Sequence, residues 1–115
     1  MKQAKNTRGL TKRNLSTPKK RLLELMQEIN FGCIEELVVR EGEPVFKPSP
    51  RVVREIKFGG ENGPRPELAA DDFALKAQVV ELFSYLTQLG NGKVESIDIK
   101  HGIPFRMNLE EVVRA

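Results

Sequence analysis

The chain is 115 residues long, 39% hydrophobic and 30% charged, with no Trp and a single Cys. That length suits one compact domain, no apolar run approaches the roughly 20 residues that span a bilayer, and one cysteine excludes an internal disulfide framework or a multi-cysteine zinc site. The net charge of +3 conceals a division: residues 1–21 hold eight of the 19 Lys and Arg and none of the 16 acids, so the other 94 residues carry 11 cations against 16 anions, a net of −5.

Residues 1–16 offer only Leu10 and Leu15 as sizeable apolar side chains after Met1. Such a segment buries too little to offset its ordering entropy, and it is expected to be a disordered basic arm. Thr17-Pro18 then reads as a helix start, with Thr17 as the cap and Pro18 in the first turn, where a missing N–H costs nothing. Leu22, Leu25, Met26 and Ile29 follow at helical spacing. Asn30-Phe31-Gly32 ends that helix through a left-handed residue.

Ile34 to Arg40 reads as a strand that turns back at Gly42. A second hairpin turns at Gly102, and its register is argued from burial. A three-residue loop Lys100-His101-Gly102 with a bulge puts Ile97, Ile99, Ile103, Phe105 and Met107 on one face. A two-residue His101-Gly102 loop places Phe105 opposite Asp98, so the three-residue loop is expected. By analogy Leu37, Val39 and Val45 face the core in the first hairpin, while Pro44 and Pro104 face outward and blunt a strand edge. Val52, Ile56 and Phe58 share a strand parity. Gly59 to Pro66 is a Gly/Pro connector, taken as 59–69. Asp71 or Asp72 caps a long helix, Phe73 to Leu89, which Gly90 stops.

The second half repeats the first at an offset of 60 residues. Gly32, Glu35, Gly42 and Pro44 recur as Gly92, Glu95, Gly102 and Pro104; Leu22 recurs as Leu82, and Val52-Val53-Arg54 as Val112-Val113-Arg114. The turn glycines and the proline stay in phase, and these residues dictate backbone shape. An internal repeat sets the architecture. The expectation is an α+β fold: two tandem α-β-β repeats (17–58 and 70–115) with pseudo-twofold symmetry, forming an antiparallel sheet covered by two helices in one domain, 17–115, behind the arm 1–16.

The run Glu28-Ile29-Asn30-Phe31-Gly32-Cys33-Ile34, continuing through Leu37-Val38-Val39-Arg40-Glu41-Gly42, resembles the small uncharacterised bacterial YezD-like proteins. The resemblance covers about 25 residues of the first unit and, more loosely, Leu86 to Phe105. It implies an amphipathic helix ending in an aromatic-Gly pair, followed by a valine-rich hairpin. Glu41 and His101 stand where that family favours Asp, and the basic arm and the connector are additions. The resemblance brings no activity with it.

No nucleophile-base pair, metal cluster or cofactor fingerprint is legible. His101, the lone histidine, falls at a turn tip whose counterpart is Glu41, which suits a solvated turn residue rather than an oriented base. Cys33 has Lys93 as its counterpart and no partner for zinc or nucleophilic chemistry. Glu35 and Glu95 read as solubilising strand carboxylates. The glycines at 59, 60 and 63 lack the Lys-Ser/Thr ending of a phosphate loop, although Lys57, Asn62 and Arg65 make 57–66 the ligand or partner loop of the body. The arm cations Lys2, Lys5, Arg8, Lys12, Arg13, Lys19, Lys20 and Arg21 attract phosphate backbones without regard to sequence, and the arm has no aromatic residue to stack on bases. The reading is a non-enzymatic cytoplasmic accessory protein, with no cofactor, metal or membrane, that contacts nucleic acid or a ribonucleoprotein through residues 1–21. The alternatives are a protein-interaction module or homodimer that pairs through hairpin edges, and a small-ligand binder at 57–66.

Overall fold

The computed structural model describes residues 10–70 and 74–111. Helix α1 (Thr17–Ile29) is followed by strands β1 (Phe31–Arg40), β2 (Glu43–Val45) and β3 (Arg51–Arg54). Helix α2 (Ala77–Leu89) is followed by β4 (Gly92–Lys100) and β5 (Ile103–Glu110). The strands form one antiparallel sheet in the order β2-β1-β4-β5, with β3 beside β2 along the same edge of β1. The fold is α+β: two helices and a five-stranded antiparallel sheet.

The core lies between the helices and one face of the sheet. Leu22, Leu23, Met26 and Ile29 of α1 meet Val79, Leu82, Phe83 and Leu86 of α2 over Ile34, Leu37, Val39, Val94, Ile97 and Ile99. Strict alternation would send Ile34 and Leu37 to opposite faces. Glu36 prevents this by taking a left-handed conformation at φ 62°, which resets the phase so that all three β1 residues point inward. On β4 the pairing to β5 shifts between Val94 and Ser96, and Val94, Ile97 and Ile99 likewise share the buried face.

β1 and β4 lie side by side at the centre, with Ile34 opposite Ile97 and Leu37 opposite Val94. Each helix ends in a positive-φ residue, Asn30 at 66° and Gly90 at 72°, and each hairpin turns through two more, Glu41-Gly42 and His101-Gly102. The turns dock across the molecule: Gly42 N–H donates to Gly90 O (2.8 Å), and Gly102 N–H donates to Asn30 O (2.9 Å). There is no room for a side chain at either glycine. A Cβ on Gly42 would stand 3.2 Å from Thr87 Cα; one on Gly102 would stand 3.4 Å from Gln27 Cα and 2.6 Å from Arg65 Cγ.

Several expectations are corrected. The segment 10–16, placed in the arm, is part of the fold. Lys12–Asn14 is a 3-10 turn, Thr11 bridges Ala74, and Leu75 N–H donates to Leu10 O at 3.2 Å. Residues 1–9, with Lys2, Lys5 and Arg8, lie outside the described residues. The cap of α1 is Ser16 rather than Thr17: its hydroxyl accepts from Lys19 N–H and donates to Glu43 Oε1 at 2.7 Å. Helix α2 starts at Ala77 rather than Phe73, and Asp71 and Asp72 lie outside the described residues.

The hairpin register also differs. Lys100 pairs with Ile103, so the loop is the two-residue His101-Gly102 turn, and Phe105 is the extra residue of a bulge between the Ile99–Pro104 and Asp98–Arg106 pairs. Pro104 is therefore buried opposite Ile99, and Pro44 opposite Val39, while Val45 pairs with Val38 on the far face. With both turn residues at positive φ, the twist of the turn matches that of the strands, and this outweighs the extra burial of the three-residue loop. Phe46 leaves the ladder to pack on the core, and Pro48 and Pro50 lack ladder donors. The return strand resumes at β3, which puts Val52 opposite Ile34, whereas Leu109, not Val112, lies opposite Val94. Ile56 and Phe58 lie beyond β3 and are exposed.

Gly42→Val and Gly102→Val should each destabilise by about 1–2 kcal/mol or more, since a β-branched residue is strained at positive φ. Ile97→Ala, at a fully buried position, should cost about 2–5 kcal/mol. Urea denaturation followed by circular dichroism measures all three.

Candidate nucleic-acid interface

The expected cations do not act as a single free arm. Lys12 is only 3% exposed, and its ammonium is held by Glu24 Oε2 at 3.0 Å and Ala70 O at 2.9 Å. A buried ammonium needs such partners, so Lys12 is part of the scaffold. Lys19 lies 3.9 Å from Glu43 and 5.8 Å from the Phe83 ring centre. The Arg21 guanidinium stacks 4.6 Å from Phe46 and remains exposed, as does Arg13. Lys20 is half-buried on α1.

A second cationic surface lies on the sheet face away from the helices. A hollow of about 450 Å3 there is lined by Phe31, Cys33 and Val53 and by Lys57, Lys100 and Phe105, with Arg54, Arg106, Glu55 and Asp98 around them. Four cations thus meet two carboxylates. β1 sends Phe31 and Cys33 outward by alternation, β4 sends Asp98 and Lys100, and the bulge brings Phe105 beside Arg106. Lys57 Nζ lies 5.0 Å from the Phe31 ring centre, and the Arg106 guanidinium 5.6 Å from that of Phe105. Arg106 Nε also donates to Asp98 at 2.7 Å, and Arg54 donates to Glu28 O at 3.1 Å. Phe105 is 57% exposed. An exposed ring flanked by cations suits a planar, anionic partner such as a nucleotide chain.

Further along this face the charges are paired: Arg51 Nε donates to Glu35 at 2.8 Å, and Lys93 lies 2.9 Å from Glu36 and 3.8 Å from Glu110. The carboxylates beside Arg51 and Lys93 push the pKa of both cations up. Glu35 is thus engaged in an ion pair, and Glu95 is exposed on β4. Cys33 Sγ lies 3.7 Å from Glu35 Oε2. Burial, then the charge and hydrogen bond of Glu35 and the charge of Asp98, push its thiol pKa up, which keeps it in the weakly nucleophilic protonated form at neutral pH. His101 is exposed, and its ring packs edge-on against Phe31 at 4.8 Å.

Lys57, Asn62 and Arg65 do not share a site. The Asn62 side chain closes its own loop, accepting from Lys57 N–H at 2.9 Å and donating to Lys57 O at 3.0 Å. Lys57 lines the hollow on the open face. Arg65 lines a different cavity, behind the His101-Gly102 turn, where its Nε lies 3.2 Å from Glu67. The hydrogen bond of its own backbone N–H, and then Arg65, hold the Glu67 carboxyl below the usual glutamate range. Among the described residues no group of three or more His, Cys, Asp or Glu is placed to hold a metal ion, and no helix is long and apolar enough to cross a membrane.

The open-face hollow was hidden in the sequence by the register of β5. A two-residue turn and a bulge bring Phe105 and Arg106 to the side of Phe31 and Lys100, whereas the expected three-residue loop buried Phe105. The alternation Phe31, Cys33, Glu35 along β1 was the available signal.

Two measurements test these local electrostatics. Cys33 should react with iodoacetamide at pH 7 more slowly than a free cysteine, its rate rising only as the pH passes the ordinary thiol value. Because the Glu67 carboxyl is depressed in the folded state, its contribution to stability is complete above the ordinary glutamate value and is lost as the pH falls through the depressed one. Glu67→Gln should therefore flatten the acid limb of a stability-versus-pH curve and leave the limb above neutrality unchanged.

Comparison with protein-family models, with curated proteins and with solved structures gave no match to this chain.

Proposed function

We propose that the protein is a non-enzymatic nucleic-acid-binding accessory protein, in which the basic N-terminal segment supplies sequence-independent attraction to phosphates and the open sheet face supplies a second contact. The observation that carries this reading is the juxtaposition of exposed Phe105 with Arg106, Lys100 and Lys57 in one hollow, on a chain whose first 21 residues contain eight cations and no acid. The segment provides long-range attraction through counterion release. The rings provide the stacking surface that the segment itself lacks. The mildly acidic remainder limits contact to these two places.

We also infer that the body is two copies of one α-β-β unit about a pseudo-twofold axis. The reciprocal hydrogen bonds of Gly42 and Gly102 support it, as does the central register. Exchanging residues at the 60-residue offset turns the Ile34–Ile97 pair into the Val94–Leu37 pair, which is also present. Duplication leaves two differently decorated return strands on one sheet, and the one interrupted at Phe46–Pro50 is not the one that lines the hollow with a ring.

A second reading has its own observation. β5 is an eight-residue outermost strand, and beside it a groove of about 560 Å3 is lined by Leu82, Tyr85, Phe105 and Met107. An unpaired strand next to exposed rings suits strand addition by a second copy or another protein. Sedimentation equilibrium separates the readings: a strict monomer at all concentrations removes the homodimer.

Fluorescence anisotropy with a 20-nucleotide single-stranded RNA tests the first reading. Deleting residues 1–9 removes three cations while sparing the Lys12 anchor and the Ser16 cap. It should weaken binding at least tenfold and flatten the salt dependence by about two units of log–log slope. Phe105→Ala should weaken binding roughly fivefold or more and leave the salt slope unchanged, since it removes stacking rather than charge. If the chain lacking 1–9 binds as well as the full chain, the proposed role of the basic segment is wrong.

A further inference from the structure

On the helix side of the sheet, α1, the start of α2, the 3-10 turn Pro66–Ala69 and the His101-Gly102 turn enclose a cavity of about 340 Å3. Leu23, Leu75, Val79 and Ile103 give it apolar walls, and Gln27 of α1 is among its lining residues. Gln27 is 5% exposed, and its Oε1 is fully enclosed with no hydrogen-bond partner. A buried amide oxygen without a donor is a standing cost to the fold. Rotating the amide by half a turn relocates the fault without curing it, because an N–H group then takes the position of the oxygen. α1 could have carried a leucine here; it carries the one uncharged side chain with a donor and an acceptor side by side.

The charged residues around the cavity are Arg65, Glu67, Lys76 and His101. Arg65 is held by Glu67, at 3.2 and 3.3 Å. Lys76 precedes α2, is exposed and makes no side-chain cap bond. Two fixed cations against one carboxylate leave the rim positive. An apolar slot with an amide inside and a positive rim is matched by a flat ring system whose edge presents an adjacent donor and acceptor, joined to an anionic group. Nucleobase edges pair with a glutamine amide in that bidentate way, and the volume falls in the range of small-molecule sites.

We propose that this cavity binds a nucleoside 5′-monophosphate, with the base edge on the Gln27 amide and the phosphate at Lys76 and Arg65. The cavity is separated by the sheet from the open-face hollow, so this site stands apart from the nucleic-acid reading. Gly102 has a part in it: its N–H is bonded to Asn30 O and its Cα faces Gln27 Cα and the Arg65 stem, so the turn closes the inner end of the slot.

The test is thermal denaturation of the full chain with millimolar AMP, GMP, CMP or UMP, or with inorganic phosphate. At least one mononucleotide should raise Tm saturably, and phosphate should not. Gln27→Leu, which removes the orphaned polar atom, should fold with an unchanged or higher Tm and bind the active nucleotide tenfold or more weakly. Lys76→Gln should weaken the mononucleotide severalfold and leave the corresponding nucleoside unaffected. A measurement on the native chain does not depend on any variant folding: the active nucleotide should shift the Gln27 side-chain amide resonance in an 15N-labelled sample. The proposal is overturned if no mononucleotide raises Tm, if phosphate alone reproduces the effect, if Gln27→Leu binds as the native chain does, or if the Gln27 amide does not move at saturation.

Discussion

The rest of the structure depends on the docking of each hairpin turn against the end of the helix that precedes the other hairpin. A helix ends with carbonyl groups that have no partner within the helix. In this chain Gly90 O and Asn30 O, at the two helix ends, receive the amides of Gly42 and Gly102, which the strand ladder leaves unused. Each bond satisfies two backbone groups at once and links elements far apart in sequence. Both contacts require a bare backbone at the turn and a positive-φ residue at the helix end, and the chain provides them in the same order twice. With the turns pinned, β1 and β4 can lie side by side only in the register that puts Ile34 opposite Ile97, and the core closes over them.

That arrangement places both helices on one face of the sheet and leaves the other to solvent. The open face manages its charge by pairing, with Arg51 on Glu35, Lys93 between Glu36 and Glu110, and Arg106 on Asp98. Exposed pairs of this kind contribute little to stability, and their consequence is to neutralise most of the surface. The hollow around Phe31 and Phe105 is the exception, since cations there outnumber acids and lie against rings. A partner approaching this face would meet a largely neutral sheet with one cationic, aromatic site.

The architecture was legible in the sequence because it rests on backbone-shaping residues. Asn30, Gly90, Gly42 and Gly102 each have a local reason to be where they are, and the hydrophobic stripes of both helices follow the 3.6-residue period. What was not legible depended on single residues leaving that pattern. Glu36 adopts a left-handed conformation that its identity does not announce, and Phe105 sits in a bulge that only the pairing of β5 with β4 reveals. The two prolines lacked ladder donors and so read as outward edge guards, yet they pack inward opposite Val39 and Ile99. The sequence similarity of Val52 and Val112 misled for a related reason: three extra residues around Phe46–Pro50 shift the return strand, so identity at a fixed offset is not equivalence in space. Lys12 counted as one of eight similar cations by composition, and only the approach of Glu24 and Ala70 separates it from the others. The Gln27 cavity left no local trace, because its walls come from four separated segments.

Amide hydrogen exchange at Gly42 and Gly102 tests the central claim most directly. Neither amide belongs to the strand ladder, and an undocked two-residue turn would leave both open to water. If the turns are pinned to Gly90 O and Asn30 O, both amides should exchange as slowly as those of the core strands, with protection approaching the global stability. Fast exchange at either glycine, while the amides of Ile34 and Ile97 stay protected, would contradict the account, because the sheet would then persist without the contact said to set its register.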